Sequence, residues 1–421
     1  MGALSILGRR RMLQWGLMSA GASMLSKMLG ATAWAQNLGP GNRGVGQTGG
    51  RDEAQLFQGK HLPGGAQMEI RLNQSIHTSD PDELEVAHRM KPFNPQSWYE
   101  EWRRVALRNE EIAEGYAAQG LKVSANQFYL RASRFHRLSI VYQQDTDATM
   151  MPGYRKMREM FDKAWQMDSP PFERVTVKVD GHPLAGFFRK PGGPAGTRFP
   201  AVIAYQGADS LAENTILGSG GFVARGLAIL VVDLPGQGAA KRLQNLYMLP
   251  DTERYVKDLV NYLETRPDVD ATRIGLQGIS MGSYSAPRAA SGESRIRAVW
   301  VSAGSHDLLR DLFEYYPPIQ DRVRWIIGAR DLADTRRKLQ DYTVEGVARN
   351  IRCPMLIGYG PTDRIVDPQG AFRLYQAAVN SDRQMWAGGG HSHHDEKSGG
   401  SVELRLPTDD DWAAQRLGAQ S

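Results

Sequence analysis

Residues 273–284 read Arg273-Ile274-Gly275-Leu276-Gln277-Gly278-Ile279-Ser280-Met281-Gly282-Ser283-Tyr284. The run from Arg273 to Gln277 reads as a strand, and the small residues from Ser283 to Ala290 read as a helix. Between them, Gly278-Ile279-Ser280-Met281-Gly282 has the pattern of a sharp strand-to-helix turn with a serine at its apex. Such a turn strains the serine backbone and crowds the positions two residues to either side, which must then be small. Gly278 and Gly282 meet that need. The expectation is that Ser280 presents its hydroxyl as a nucleophile.

Working outward, short apolar strands alternate with helical stretches. Val175 to Val179 and Leu184 to Phe188 flank Asp180-Gly181, a hairpin signal. Strands follow at Pro200 to Tyr205, Ala228 to Val232, Ala298 to Val301, Met355 to Tyr359 and Gln384 to Ala387. Helical stretches lie between them at 213–226, Thr252 to Thr265 and Pro368 to Val379. This alternation predicts an α/β fold, with a mostly parallel sheet covered by helices on both faces. Together with the serine turn it points to the α/β-hydrolase fold. A polar, Arg-rich stretch at about 306–350 interrupts the alternation and reads as an inserted helical cap. The catalytic domain is expected over 169–396, with 397–421 a C-terminal tail.

A serine nucleophile needs a base and an orienting acid, and in this fold the chain order is Ser, acid, His. Asp363 stands just beyond the strand ending at Tyr359 and is the preferred acid. Its competitor, Asp367, directly precedes Pro368 and suits a helix cap. Beyond the strand ending at Ala387, Gly388-Gly389-Gly390 leads to His391, His393, His394 and Asp395. His391 comes first and is the preferred base, while His393 and His394 read as surface-loop residues. A metal site made of these histidines and Asp395 is the competing reading. The close packing of the candidates in a Gly-rich loop and the lack of a second ligand cluster in the sequence weigh against it. The oxyanion donors are expected to be the N–H of Met281 and that of Gly207 or Ala208, in the loop Gln206-Gly207-Ala208-Asp209-Ser210. Asp209 and Ser210 could equally cap the next helix. No cofactor is called for.

Before the catalytic region, Trp98, Trp102, Val105 and Ile112 recur at helical spacing. Ser124 to Gln127 reads as a capping box opening a helix with Phe128, Ala132, Phe135 and Ser139 on one face. Residues 90–168 therefore read as a helical accessory module, with an aromatic stripe more consistent with core than with a ligand box. A module of this kind offers a surface for a homodimer. Residues 36–89 read as linker or irregular chain. The first 35 read as a twin-arginine signal, from Arg9-Arg10-Arg11-Met12-Leu13-Gln14, a moderately apolar stretch and Ala33-Trp34-Ala35. That predicts a periplasmic or secreted protein without a stable membrane anchor.

Charge and cysteine usage narrow the class. The net charge is +5 over 421 residues, but Arg9, Arg10, Arg11 and Lys27 supply four of those charges. The remainder is close to neutral, which removes the main support for a nucleic-acid partner and leaves a small-molecule substrate. Cys353 is the single cysteine, so no intramolecular disulfide forms, and thiolate clusters or a Cys nucleophile are disfavoured.

Trp98, Trp102, Ser124-Ala125 and Tyr129 to Ser133 resemble the helical module of the 2,6-dihydroxypseudooxynicotine hydrolase group. Gln206 to Ser210, Val232-Asp233-Leu234-Pro235-Gly236-Gln237-Gly238 and the serine turn resemble its catalytic domain. The fermentation–respiration switch protein and fungal polyketide-shortening hydrolases look like more distant relatives. The likeness spans roughly 90–396 and implies a Ser-Asp-His triad on Ser280, Asp363 and His391. It also implies ketone or 1,3-diketone substrates cleaved at a carbon–carbon bond, in addition to ester hydrolysis. Members that cut such bonds resemble one another in an extra acidic residue near the substrate. Here no Glu ends the strand Ala298 to Val301, and His306 and Asp307 follow it instead. Two other readings compete: a dipeptidyl-type peptidase, disfavoured by the helical N-terminal segment, and a catalytically silent binding protein on the same fold.

Overall fold

A computed structural model describes residues 80–91, 94–143, 145–167, 172–388, 391 and 408–419. The signal segment, His393, His394 and Asp395 lie outside these residues, as does most of the stretch read as linker.

Four helices come first: α1 (Pro81–Arg89), α2 (Pro95–Ala118), α3 (Lys122–Ser139) and α4 (Met150–Met167). The sequence reading had assigned residues 81–89 to irregular chain, and they are helical for a local reason. The Asp80 side chain accepts from the N–H groups of Asp82 and Glu83, and Pro81 occupies the first turn. Asn94 and Pro95 open α2 in the same way. The 98/102/105 stripe is core, packed on Phe135 of α3, and Trp98 Nε1 donates to Leu138 O at 2.7 Å. The expected capping box at Ser124 is absent. Helix α3 begins at Lys122, with no side-chain cap at Leu121, and Ser124 sits inside the first turn. Of the expected face, Ala132, Phe135 and Ser139 are buried, joined by Ala125, Tyr129 and His136, while Phe128 is half-exposed.

Residues 173–387 contain one eight-stranded sheet in the order β1-β2-β4-β3-β5-β6-β7-β8. The strands are β1 (Glu173–Val179), β2 (His182–Arg189), β3 (Phe199–Tyr205), β4 (Ala228–Val232), β5 (Val269–Ile279), β6 (Ile296–Ser302), β7 (Met355–Tyr359) and β8 (Arg383–Ala387). β1 and β2 form the expected hairpin, with Asp180 and Gly181 both at positive φ. From β4 to β8 every neighbouring pair is parallel. Residues alternate between the two faces: Ala201, Ile203 and Tyr205 join one hydrophobic cluster, Val202 and Ala204 the other.

Helices α5 (Ala212–Leu217), α6 (Gly220–Ala224), α7 (Gly238–Gln244), α8 (Glu253–Glu264), α9 (Gly282–Gly292) and α12 (Gln369–Ala377) connect the strands. The single helix expected over 213–226 is two short ones, parted at Gly218 and Ser219. Between β6 and β7 lie a π-helical turn at Leu309–Phe313, then α10 (Gln320–Ile326) and α11 (Leu332–Leu339), so the 306–350 stretch is helical as read. Among the described residues no helix is long and apolar enough to cross a membrane.

The stretch read as a C-terminal tail contains α13 (Asp409–Arg416). Thr408 and Asp411 close a reciprocal capping box, the Thr-x-x-Asp signal of a helix start. Trp412 is buried with its ring 6.3 Å from that of Trp300 on β6, and Ala413 and Leu417 pack in the same cluster. Helix α13 thus covers one face of the sheet. Trp412→Ala is expected to lower the free energy of unfolding by about 3–5 kcal/mol. Urea denaturation measures this, and a loss below about 1 kcal/mol would mean that α13 contributes little.

Candidate active site

Ser280 stands at the carboxyl end of β5 with φ 55°, a left-handed backbone that a serine adopts only under constraint. Its N–H donates to Ser302 O at 3.0 Å, tying the turn to the end of β6. Its carbonyl accepts from Ser283 N at 2.8 Å and from Ser283 Oγ at 2.6 Å. The need for small neighbours is steric. A Cβ on Gly278 would lie 2.2 Å from Gly282 O, and one on Gly282 would lie 2.3 Å from Tyr205 O. Gly282→Ala is therefore expected to reduce soluble, folded protein or abolish turnover by at least about a hundredfold. A variant with near-wild-type expression and rate would show that the turn tolerates the displacement.

The sequence candidates meet in space. His391 Nε2 lies 3.0 Å from Ser280 Oγ, and His391 Nδ1 lies 3.1 Å from each carboxylate oxygen of Asp363. Asp363 is only 2% exposed. Its Oδ1 accepts from the N–H groups of Ile365 at 2.8 Å and Val366 at 3.1 Å, and its backbone carbonyl accepts from Tyr315 Oη at 2.8 Å. The competitor Asp367 is elsewhere engaged. It accepts from Gln369 N at 3.0 Å, at the start of α12, and pairs with Arg373 at 3.1 Å.

The proposed oxyanion donors flank the serine. Met281 follows it directly, and a Cβ on Gly207 would stand 3.2 Å from Ser280 Cβ. Among the described residues, no turn or loop hydrogen bond to a backbone acceptor is made by the N–H of Met281 or Ala208. Gln237, which the sequence reading passed over inside the Pro-Gly-x-Gly turn, holds this loop. Its Nε2 donates to Gln206 O at 2.8 Å and Gly207 O at 3.2 Å. Tyr315, in the 306–350 stretch, likewise has no role in the sequence reading.

Asp311 answers the question of an extra acid beyond β6. Its carboxylate accepts from Ser305 Oγ and from the N–H groups of His306 and Asp307, and it pairs with Arg373. Fully buried and so engaged, it braces the turn and has no carboxylate edge to offer a substrate. His306 Nε2 lies 3.2 Å from Glu345. Cys353 is half-buried, and burial pushes its thiol up to about 12, leaving it protonated near neutrality. Among the described residues no group of His, Cys, Asp and Glu could hold a metal ion.

FrsA-like esterases match residues 67–367. The chain belongs to that family. A 2,6-dihydropseudooxynicotine hydrolase of Paenarthrobacter nicotinovorans is 28% identical over 64% of this chain and 72% of its own. A 20-hydroxy-prefusarin hydrolase of Gibberella moniliformis is 26% identical over 73% of this chain and 84% of its own. A crystal structure of a 2,6-dihydroxy-pseudo-oxynicotine hydrolase shares the fold, with a TM-score of 0.69 at 24% identity, covering 84% of this chain and 96% of that one. Family and relatives make this chain an α/β-type hydrolase, and the fold agrees.

One buried acid near the site has an unusual charge state. Glu213, in the first turn of α5 just past the loop Gln206–Ser210, is buried and pushed up to about 7, first by desolvation and then by Asp233. Asp233 is itself pushed up by burial, while the hydrogen bonds it accepts from Ala239 N at 2.8 Å, Ala212 N at 2.9 Å and Gln206 Nε2 at 3.4 Å favour its charged form. The folded value of Glu213 lies above its ordinary 4.5, so folding retains a proton that the unfolded chain releases. That contribution is complete below about 4.5 and is lost as pH rises through about 7. Glu213→Gln is therefore expected to gain on wild type by at least roughly 1 kcal/mol between those pH values. Urea midpoints across the window measure the gain, and a constant difference between the two proteins would exclude it.

Proposed function

We propose that this protein hydrolyses a small carbonyl substrate through Ser280, His391 and Asp363, with an ester as the scissile group. The observation that carries the reading is the continuous hydrogen-bonded chain from Ser280 Oγ through both ring nitrogens of His391 to the buried Asp363. Nucleophile, base and orienting acid stand within reach of one another in one line.

In this reading His391 Nε2 takes the Ser280 proton as Oγ attacks the ester carbonyl. The oxyanion rests on the N–H of Met281 and that of Ala208 or Gly207. Collapse expels the alcohol, which takes the proton back from His391, and leaves an acyl-serine. Water, activated by the same imidazole, then releases the acid and restores Ser280. Asp363 holds Nδ1–H and stabilises the imidazolium formed in each half. Ester is preferred to carbon–carbon cleavage because the carboxylates that follow β6 are engaged within the protein, Asp311 by Ser305, His306 and Asp307, and Asp307 by the N–H of Arg310. A ketone or 1,3-diketone substrate is the second reading, supported by the relatives named for pseudooxynicotine hydrolysis.

Wild type is expected to label with a fluorophosphonate probe and to hydrolyse short p-nitrophenyl esters. Ser280→Ala should do neither, with a rate loss of at least about 10⁴-fold. Ester turnover surviving in Ser280→Ala would sink the triad reading. Esters, amides and 1,3-diketones assayed side by side decide the bond that is cut. We also propose export through the twin-arginine route, supported by Arg9-Arg10-Arg11 ahead of a weakly apolar stretch. N-terminal sequencing of periplasmic protein should begin just after Ala35, and uncleaved protein confined to the cytoplasm would overturn the export reading.

A further inference from the structure

The loop Gln206–Ser210 carries the second oxyanion donor, yet much of what holds it belongs to other parts of the chain. Gln237 grips its first half from the turn after β4. Its second half is held from outside the catalytic sheet. Arg137 on α3 donates from Nη2 to Asp209 O at 3.1 Å. Arg322 on α10 places Nη1 3.4 Å from Asp209 Oδ1. The same guanidinium places Nε 3.4 Å from Asp145 Oδ2 and donates from Nη2 to Val141 O at 3.3 Å, both in the connection between α3 and α4. All three nitrogens of Arg322 are thus engaged, joining cap, helical module and oxyanion loop.

The next residue strengthens the tie. Leu211 is buried among Ile140, Met150, Tyr154 and Met157, which are core residues of the helical module. The loop is therefore seated on the helical module by an apolar plug and Arg137, and tied to α10 and the α3–α4 connection by Arg322. Side-chain exposure of 12% for Arg322 and 13% for Asp209 puts the pair where water compensates poorly for a lost partner.

We propose that Asp209, through Arg322 and Arg137, is a positioning residue that sets the N–H of Ala208 or Gly207 against the oxyanion. Turnover then depends on the helical module and cap being docked on the catalytic sheet. This rests on the esterase reading above. It predicts a defect in transition-state stabilisation, because an oxyanion donor displaced by a fraction of an ångström loses most of its effect while substrate still binds. Arginine is required at 322, because lysine supplies one point charge where three directed contacts are made.

The test uses the full chain as wild type, Asp209→Asn, Arg322→Lys and Arg137→Ala, with a p-nitrophenyl ester and an aryl trifluoromethyl ketone as probes. Asp209→Asn is expected to lower kcat by about ten- to a hundredfold with KM changed less than about threefold. Affinity for the ketone, whose adduct carries an oxyanion, should weaken by a similar factor. Arg322→Lys should fall between wild type and Asp209→Asn. Amide hydrogen exchange across 205–211 should quicken in all three variants. Unchanged exchange in Asp209→Asn overturns the proposal, as does a kcat within about twofold of an active wild type. Exchange does not depend on turnover, so a wild type without Ser280-dependent activity would count against the esterase reading while exchange still decides the clamp.

Discussion

Ser280 is held in a left-handed backbone conformation that costs an L-residue about 1–2 kcal/mol, and much of the site follows from how the chain maintains it. The turn pinches β5 against α9, leaving room for hydrogens alone at Gly278 and Gly282. The Ser280 N–H is fixed to Ser302 O, and Ser283 Oγ bridges the carbonyls of Ser280 and Ala303. Ala303 is itself at φ 59°, so two adjacent strand ends turn sharply in concert. Such strain persists only where the surroundings over-determine it. Here β5 lies between β3 and β6 in the middle of a parallel sheet buried on both faces.

Once the serine is fixed, the remaining groups need only reach it from the same sheet edge. β7 and β8 run parallel to β5, so the chain beyond each emerges on the side of Ser280. Asp363 follows β7 and His391 follows β8. The acid must also be held. A buried carboxylate is tolerable when its oxygens are satisfied, and the N–H groups of Ile365 and Val366 plus the His391 ring provide for that. Asp311 and Arg373 set the frame of the loop from below, since Asp367 N donates to Asp311 O at 2.8 Å. Acid, brace and cap are therefore one connected unit.

Much of this was legible in the residues, because the signals were local. Parallel buried strands write themselves as short apolar runs, and the serine turn as a five-residue pattern. Asp363 could be told from Asp367 because Pro368 marks a helix start. The failures were local too. Asp80-Pro81 announces α1 as clearly as Asn94-Pro95 announces α2, but the polar, Gly-rich chain before it masks the signal. Thr408 and Asp411 announce α13 in the same manner. What could not be read is long-range. Nothing in the neighbourhood of Arg322 points to residue 145 or 209, and Gln237 looks like turn filler until its amide is seen against the Gln206 carbonyl.

The use of charge at that junction has a physical logic. An apolar plug alone, such as Leu211 in the helical module, resists separation but is indifferent to a small slide. A guanidinium with three directed partners is sensitive to direction as well as distance, and leaving it unmatched in a nearly dry interface is costly. The pairing adds little net stability over an apolar substitute of the same size, so its value lies in register. An oxyanion donor is the part of a hydrolase that most needs register, because its contribution is realised only at one oxygen position. The burial supplied by Leu211 and the direction supplied by Arg322 and Arg137 act on consecutive residues of the same loop. That combination couples the seating of the helical module to the geometry at Ser280.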